Sequence, residues 1–185
     1  MDVLLVVIFV CAVLAALVLL VYNGLVRARN LVANSWGLVD AELQRRHDLV
    51  PNLVECVKGY AVYERDVLDA VTARRAAAVA ASPTPEARES REHQLVDGVR
   101  QLFGVAENYP DLQASHSYRE LQRALIDTED RITVARRVYN ANVRDFNTRV
   151  QSFPGMIFAR GPRFAEASFF DAGETLRNAA PPSIT

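Results

Sequence analysis

The stretch RRHDLVPNLVECV at positions 45–57 gathers a histidine, two carboxylates and a cysteine around a proline. His47, Asp48 and Glu55 are the residue types of a mononuclear metal site, and a cysteine beside a histidine is the pairing of a thiol nucleophile. The spacing supports neither. A di-metal site in a helical bundle takes Glu-x-x-His pairs, and the residues three before His47, His93 and His116 are Gln44, Ser90 and Gln113. A helix end beside solvent accounts for His47, Asp48 and Glu55. Cys56 lies nine residues from His47 across the proline, which favours a buried small hydrophobe over a nucleophile. The eight glycines form no GxGxxG or Walker loop. Arg74–Arg75 and Arg136–Arg137 read as interhelical ion pairs with Asp40, Glu64, Glu129 or Asp130 rather than as a phosphate site. No catalytic, cofactor-binding or metal-ligating residue is assigned, and the chain reads as a non-enzyme without a cofactor or a small-molecule substrate.

The elements that carry these residues begin with an apolar run. Residues 3–21 contain no polar or charged side chain. At ~1.5 Å rise per residue a helix of that length spans about 28 Å, close to the ~30 Å hydrocarbon core of a bilayer. Only Asp2 precedes the run and Leu19, Leu20 and Val21 end it, which differs from the basic start and small-residue cleavage site of a secretory signal, so an uncleaved anchor is expected. Cys11 reads as a small apolar residue facing lipid. Arg27 and Arg29 follow the run, so the positive-inside rule predicts a single-pass protein of the plasma membrane with the N-terminus outside and the remainder cytoplasmic. Cys56 is alone beyond the anchor, as suits a reducing compartment. Residues 27–185 carry 21 basic and 21 acidic residues, a balance that argues against nucleic acid as a partner.

Beyond the anchor the periodicity is helical throughout. Leu25, Val32, Trp36, Val39 and Leu43 define one apolar face, and Leu53, Val57, Tyr60, Ala61, Leu68 and Val71 a second. SPTP at 82–85 predicts a loop, a third helix runs from about Glu86 to NYPD at 108–111, and a fourth from about Leu112 to Ser152. Two readings of 45–57 compete. Asn52 with Glu55 resembles a capping box and Pro51 suits a first turn, which makes the stretch a corner between two helices. The seam 43, 46, 50, 53, 57 runs through the proline, which makes it one long kinked helix. Length favours the corner, because a continuous helix from 24 to 81 would reach ~87 Å and the third helix, ~36 Å long, could not cover it. The expected fold is all-α: an N-terminal transmembrane helix followed by an antiparallel up-and-down bundle, with four helices favoured over three with a long kinked first helix. In the four-helix form the last helix returns to the membrane and Trp36 lies level with the middle of the second helix. A continuous first helix would send the last helix outward. Asn23 and Asn30, and Asn140 and Asn147, are spaced seven apart on the first and last helices, and read either as exposed residues or as a hydrogen-bonded asparagine layer. The tail beyond Phe153 is aromatic but aperiodic and is expected to fold back over the bundle rather than dock on lipid or a partner.

Several blocks in order, YNGLVRARN at 22–30, Trp36, QRRHDLVPNLVE at 44–55, VKGYAVYE at 57–64, NYPDL at 108–112, EDRITVARRVYNANVRDFN at 129–147 and FPG at 153–155, together closely resemble the LemA family. Cys56 and Tyr63 depart from it, standing where threonine and histidine are usual. The resemblance implies an N-terminal membrane helix, an outward N-terminus and a cytoplasmic antiparallel bundle. It implies no activity, since this family, which includes proteins of the magnetosome membrane, has no established biochemical function. The expected organisation is an anchor at 1–22, a bundle at 23–153 and a tail at 154–185, folded back in part and frayed at its end. The expected function is that of a non-catalytic membrane-anchored scaffold or adaptor, in contact with the bilayer and with protein partners or further copies of itself. The alternative is a regulatory subunit of a membrane enzyme such as a protease.

Overall fold

A computed structural model of the chain describes residues 2–61, 63–80, 85–158 and 164–171. These form six helices: α1 Asp2–Lys58, α2 Arg65–Val79, α3 Pro85–Ala106, α4 Pro110–Ala114, α5 His116–Gln151 and α6 Gly155–Phe158. The described residues contain no strand. The apolar start of α1, with a mean hydropathy of 3.5, is exposed on every side, and α1 is long and apolar enough to cross a membrane.

The corner expected at 45–57 is not there. α1 continues unbroken through Pro51 for 57 residues, about 85 Å at ~1.5 Å per residue. A proline inside a helix removes one i→i−4 hydrogen bond, here the one that the carbonyl of His47 would accept. That carbonyl is not orphaned, because Arg75 on α2 reaches across and donates from Nε at 2.8 Å. Val50, Leu53, Val54 and Val57 carry the buried face straight past the proline. The turn comes one block later, where the N–H groups of Tyr60 and Ala61 both donate to the carbonyl of Val57 and Ala61 is buried.

Moving the corner leaves the parity of the passes unchanged. α2 returns beside the distal part of α1, α3 runs out again and α5 runs back along α1. An unbroken α1 therefore coexists with a last helix that ends beside the apolar segment. The expectation that an unbroken helix would turn the last one outward is overturned. The length objection fails because α5, at 36 residues or ~54 Å, covers what α3 cannot. The expected fourth helix also divides, since Ser115 caps α5 by accepting from the Tyr118 N–H at 3.5 Å, leaving α4 as a separate turn.

Three core clusters follow one another along the rod. Val50, Leu53 and Val57 meet α2, α3 and the start of α5 at the distal end. Val39 and Leu43 meet Ile132, Tyr139 and Val143 in the middle. Leu25 and Ala28 meet Phe146 and Val150 beside the apolar segment. The α2–α3 hairpin contributes no residue to the last two clusters, and there the tail takes its place: Phe170 enters the middle cluster and Phe164 the proximal one. The end of the tail, NAAPPSIT at 178–185, where fraying is expected, lies outside the described residues.

Candidate functional site

Two constellations stand out on this frame. The first is an ionic junction at the level of Arg46 and His47. Arg46 donates from one terminal guanidinium nitrogen to Glu129 Oε1 on α5 at 2.8 Å, and from the other to Glu92 Oε2 on α3 at 2.6 Å. His47 Nε2 donates to the remaining oxygen of Glu92 at 2.9 Å. With Arg75 bound to the His47 carbonyl, side chains or backbone of α1, α2, α3 and α5 converge on one layer. Arg46, His47, Glu92 and Glu129 are all buried, at 0–3% exposure. Burial alone would raise the Glu92 carboxyl, but the hydrogen bond from His47 and the charge of Arg46 outweigh it and hold Glu92 below the usual carboxylate range. Burial likewise works to lower Arg46, and the two glutamates overcome it, so its pKa is raised.

These placements revise the expectations for several residues. His47 is not at a solvated helix end but is a buried core residue hydrogen-bonded to Glu92. Arg75 pairs with a backbone carbonyl, Arg74 reaches the Gln94 carbonyl and Gln101, and Arg136 pairs with Asp171 of the tail, rather than with Asp40, Glu64, Glu129 or Asp130. Asp40 pairs with Arg88. Cys56 is half-buried; burial pushes its thiol pKa up, against a hydrogen bond with Ser115, which disfavours the thiolate a nucleophile needs. Among the described residues no three metal-ligating side chains come together. The junction holds four helices in register. Its polar atoms are sealed from solvent, so it offers no surface on which a substrate could react.

The second constellation is the groove that holds the tail. Asn147 Nδ2 donates to the Ala167 carbonyl and its Oδ1 accepts from the Ala167 N–H, both at 2.9 Å. Asn140 does the same with Phe170, at 2.9 and 3.0 Å. Seven residues of helix rise ~10.5 Å and three residues of extended chain span ~10 Å, so the two amides match the tail's repeat. Each amide replaces the missing partner of a β-ladder. The Tyr139 hydroxyl donates to the Ser168 carbonyl at 2.8 Å, and Trp36 packs on Tyr139 and edge-on to Phe170, with Arg88 5.5 Å above its ring. His93 Nε2 donates to the Asp171 carbonyl at 3.0 Å. Trp36 thus belongs to the tail groove. Asn23 and Asn30 are exposed. The asparagine spacing on α5 was the signal for a polar row, but its partner is the backbone of an aperiodic segment, which side-chain periodicity does not reveal.

A family model described as the LemA family matches residues 35–185. The chain is 26% identical over 156 residues to "Protein LemA" of Metamycoplasma hominis, covering 84% of this chain and 71% of that one. It is also 26% identical over 161 residues to "Magnetosome protein MamQ" of Magnetospirillum gryphiswaldense, covering 72% of this chain and 59% of that relative's length. A MamQ of Paramagnetospirillum magneticum matches at 25% over 161 residues, again with 59% of its length covered.

Proposed function

The chain belongs to the LemA family, and on that premise we propose that it is a non-catalytic, single-pass scaffold or adaptor whose bundle stands on the cytoplasmic face of the plasma membrane. The observation that carries this reading is the continuity of α1. One helix of 57 residues supplies both the apolar segment and the spine of the bundle, so partners bound to the bundle are held at a set height and orientation over the bilayer. A place for such partners is the shallow groove between α1 and α5 on the side away from the tail, where Leu38, Val134 and Val138 are exposed, with Leu31 one heptad before Leu38.

Cross-linking in native membranes followed by mass spectrometry tests the reading. Contacts among copies of the chain, or with several proteins through this groove, are expected. Recovery of one enzyme in fixed stoichiometry would replace it with a regulatory subunit. Orientation is tested separately: a cysteine in place of Tyr63, which is 94% exposed, is expected to resist membrane-impermeant thiol reagents in intact cells. Tyr63 is the better reporter because Cys56 is half-buried with its thiol pKa raised. Labelling from outside would reverse the topology.

A further inference from the structure

We propose that the turn closing α5 is a second membrane contact, in which Phe153, Met156 and Ile157 dock in the lipid interface beside α1. This rests on reading the start of α1 as a membrane anchor. It is carried by where α5 ends and by what that end exposes. Because α5 returns along α1, Phe153, Pro154 and Gly155 share a cleft with Leu20, Val21 and Leu25, which are the last turn of the apolar run and the residue one turn beyond it. The turn therefore lies level with the edge of the hydrocarbon, where Tyr22 also sits, packed edge-on against Phe164 of the tail.

The turn is seated by its glycine rather than by its large side chains. Gly155 is buried, and a Cβ there would collide with the carbonyl oxygen of Arg149 and come within 3.7 Å of the Leu25 side chain. The Met156 N–H donates to the Ser152 carbonyl at 2.9 Å and α6 follows. With the backbone fixed this way, the apolar side chains face outward: Phe153 is 78% exposed, Ile157 57% and Met156 50%. Three large hydrophobes on five residues form a patch that water disfavours, and it continues the lipid-facing surface of Leu17 and Leu20. Arg27 and Arg29 are exposed just above, at the height of phosphate headgroups, beside Arg149, which pairs with Asp145. The occupant that fits both the height and this apolar-below, cationic-above order is the bilayer.

The test uses the full chain carrying Cys11→Ala and Cys56→Ala, reconstituted in phosphatidylcholine–phosphatidylglycerol vesicles. Single nitroxide labels are placed through Phe153→Cys, Ile157→Cys, Leu14→Cys and Ala141→Cys. Their collision rates with oxygen, which concentrates in lipid, and with a water-soluble nickel chelate report depth. Leu14 calibrates the hydrocarbon and Ala141, exposed higher on α5, calibrates water. Labels at 153 and 157 are expected to shift clearly from the aqueous value toward the lipid one. If Leu14 reads as lipid while 153 and 157 match Ala141, the second contact is overturned and the anchor stands. If 153 and 157 are shielded from both reagents, protein covers the turn and the lipid contact is likewise overturned. An aqueous Leu14 would overturn the anchor and this inference together.

Discussion

Arg46 occupies a position on the apolar seam of α1, between Leu43 and Val50, where an unpaired charge would cost several kcal/mol in lost hydration. Two carboxylates from two other helices make the position tolerable, and their geometry dictates which faces of α1, α3 and α5 meet. Arg46→Met is expected to destabilise the protein by about 3–5 kcal/mol, because Glu92 and Glu129 would be left buried without their cation. Adding Glu92→Gln and Glu129→Gln should recover much of that loss, which chemical denaturation of the detergent-solubilised chain would measure. The junction also carries a pH signature. Since the Glu92 pKa is lowered on folding, its contribution is fully present above the ordinary glutamate value of about 4.3 and is lost as pH falls through the depressed folded value. Stability should therefore fall off as pH drops from about 4.3 through the depressed folded value, and Glu92→Gln should flatten that part of the curve.

At the scale of the element, α1 shows how a proline is carried inside a helix without a break. Its missing N–H is replaced from outside by Arg75, so α2 completes the hydrogen bonding of α1. Arg75→Met removes the donor of a part-buried carbonyl and is expected to cost about 1–3 kcal/mol. In a Pro51→Ala background residue 51 regains its N–H and can itself donate to His47, so the same Arg75 substitution should cost markedly less. A double-mutant cycle reads the difference, and additive effects would show that Arg75 does not stand in for the proline's missing N–H at the His47 carbonyl. The end of α1 is set by a different block, VKGYAVYE, whose Val57 carbonyl accepts two turn hydrogen bonds.

Across the whole molecule the bundle has two halves with different third layers: the α2–α3 hairpin distally, and the tail, residues 164–171, proximally. The tail is held by two asparagine amides and by Phe164 and Phe170, which are 3% and 1% exposed. Asn140→Asp removes a donor while retaining an acceptor, and Asn147→Leu removes both. Each substitution sacrifices neutral hydrogen bonds worth about 0.5–1.5 kcal/mol apiece, and the double variant should release the tail. The expected readout is faster proteolysis within 164–171, with the helical content of the bundle unchanged. Equal protection in variant and parent would show that the aromatic contacts alone hold the strap.

The sequence by itself determined the apolar helix, the all-helical class and the number of main passes, because these depend on local composition and on a periodicity that each segment carries alone. It placed position 46 on the seam that runs through Pro51 and marked a polar row at Asn140 and Asn147, but only the tertiary structure showed Arg46 to be buried and supplied the partners. Glu92 and Glu129 lie 46 and 83 positions from Arg46 along the chain, and the asparagines bind backbone, which leaves no side-chain pattern to read. Pro51 is the sharpest case. Local chemistry favoured a helix start there, and the outcome reversed because an arginine 24 residues further on restores the one hydrogen bond that the proline denies.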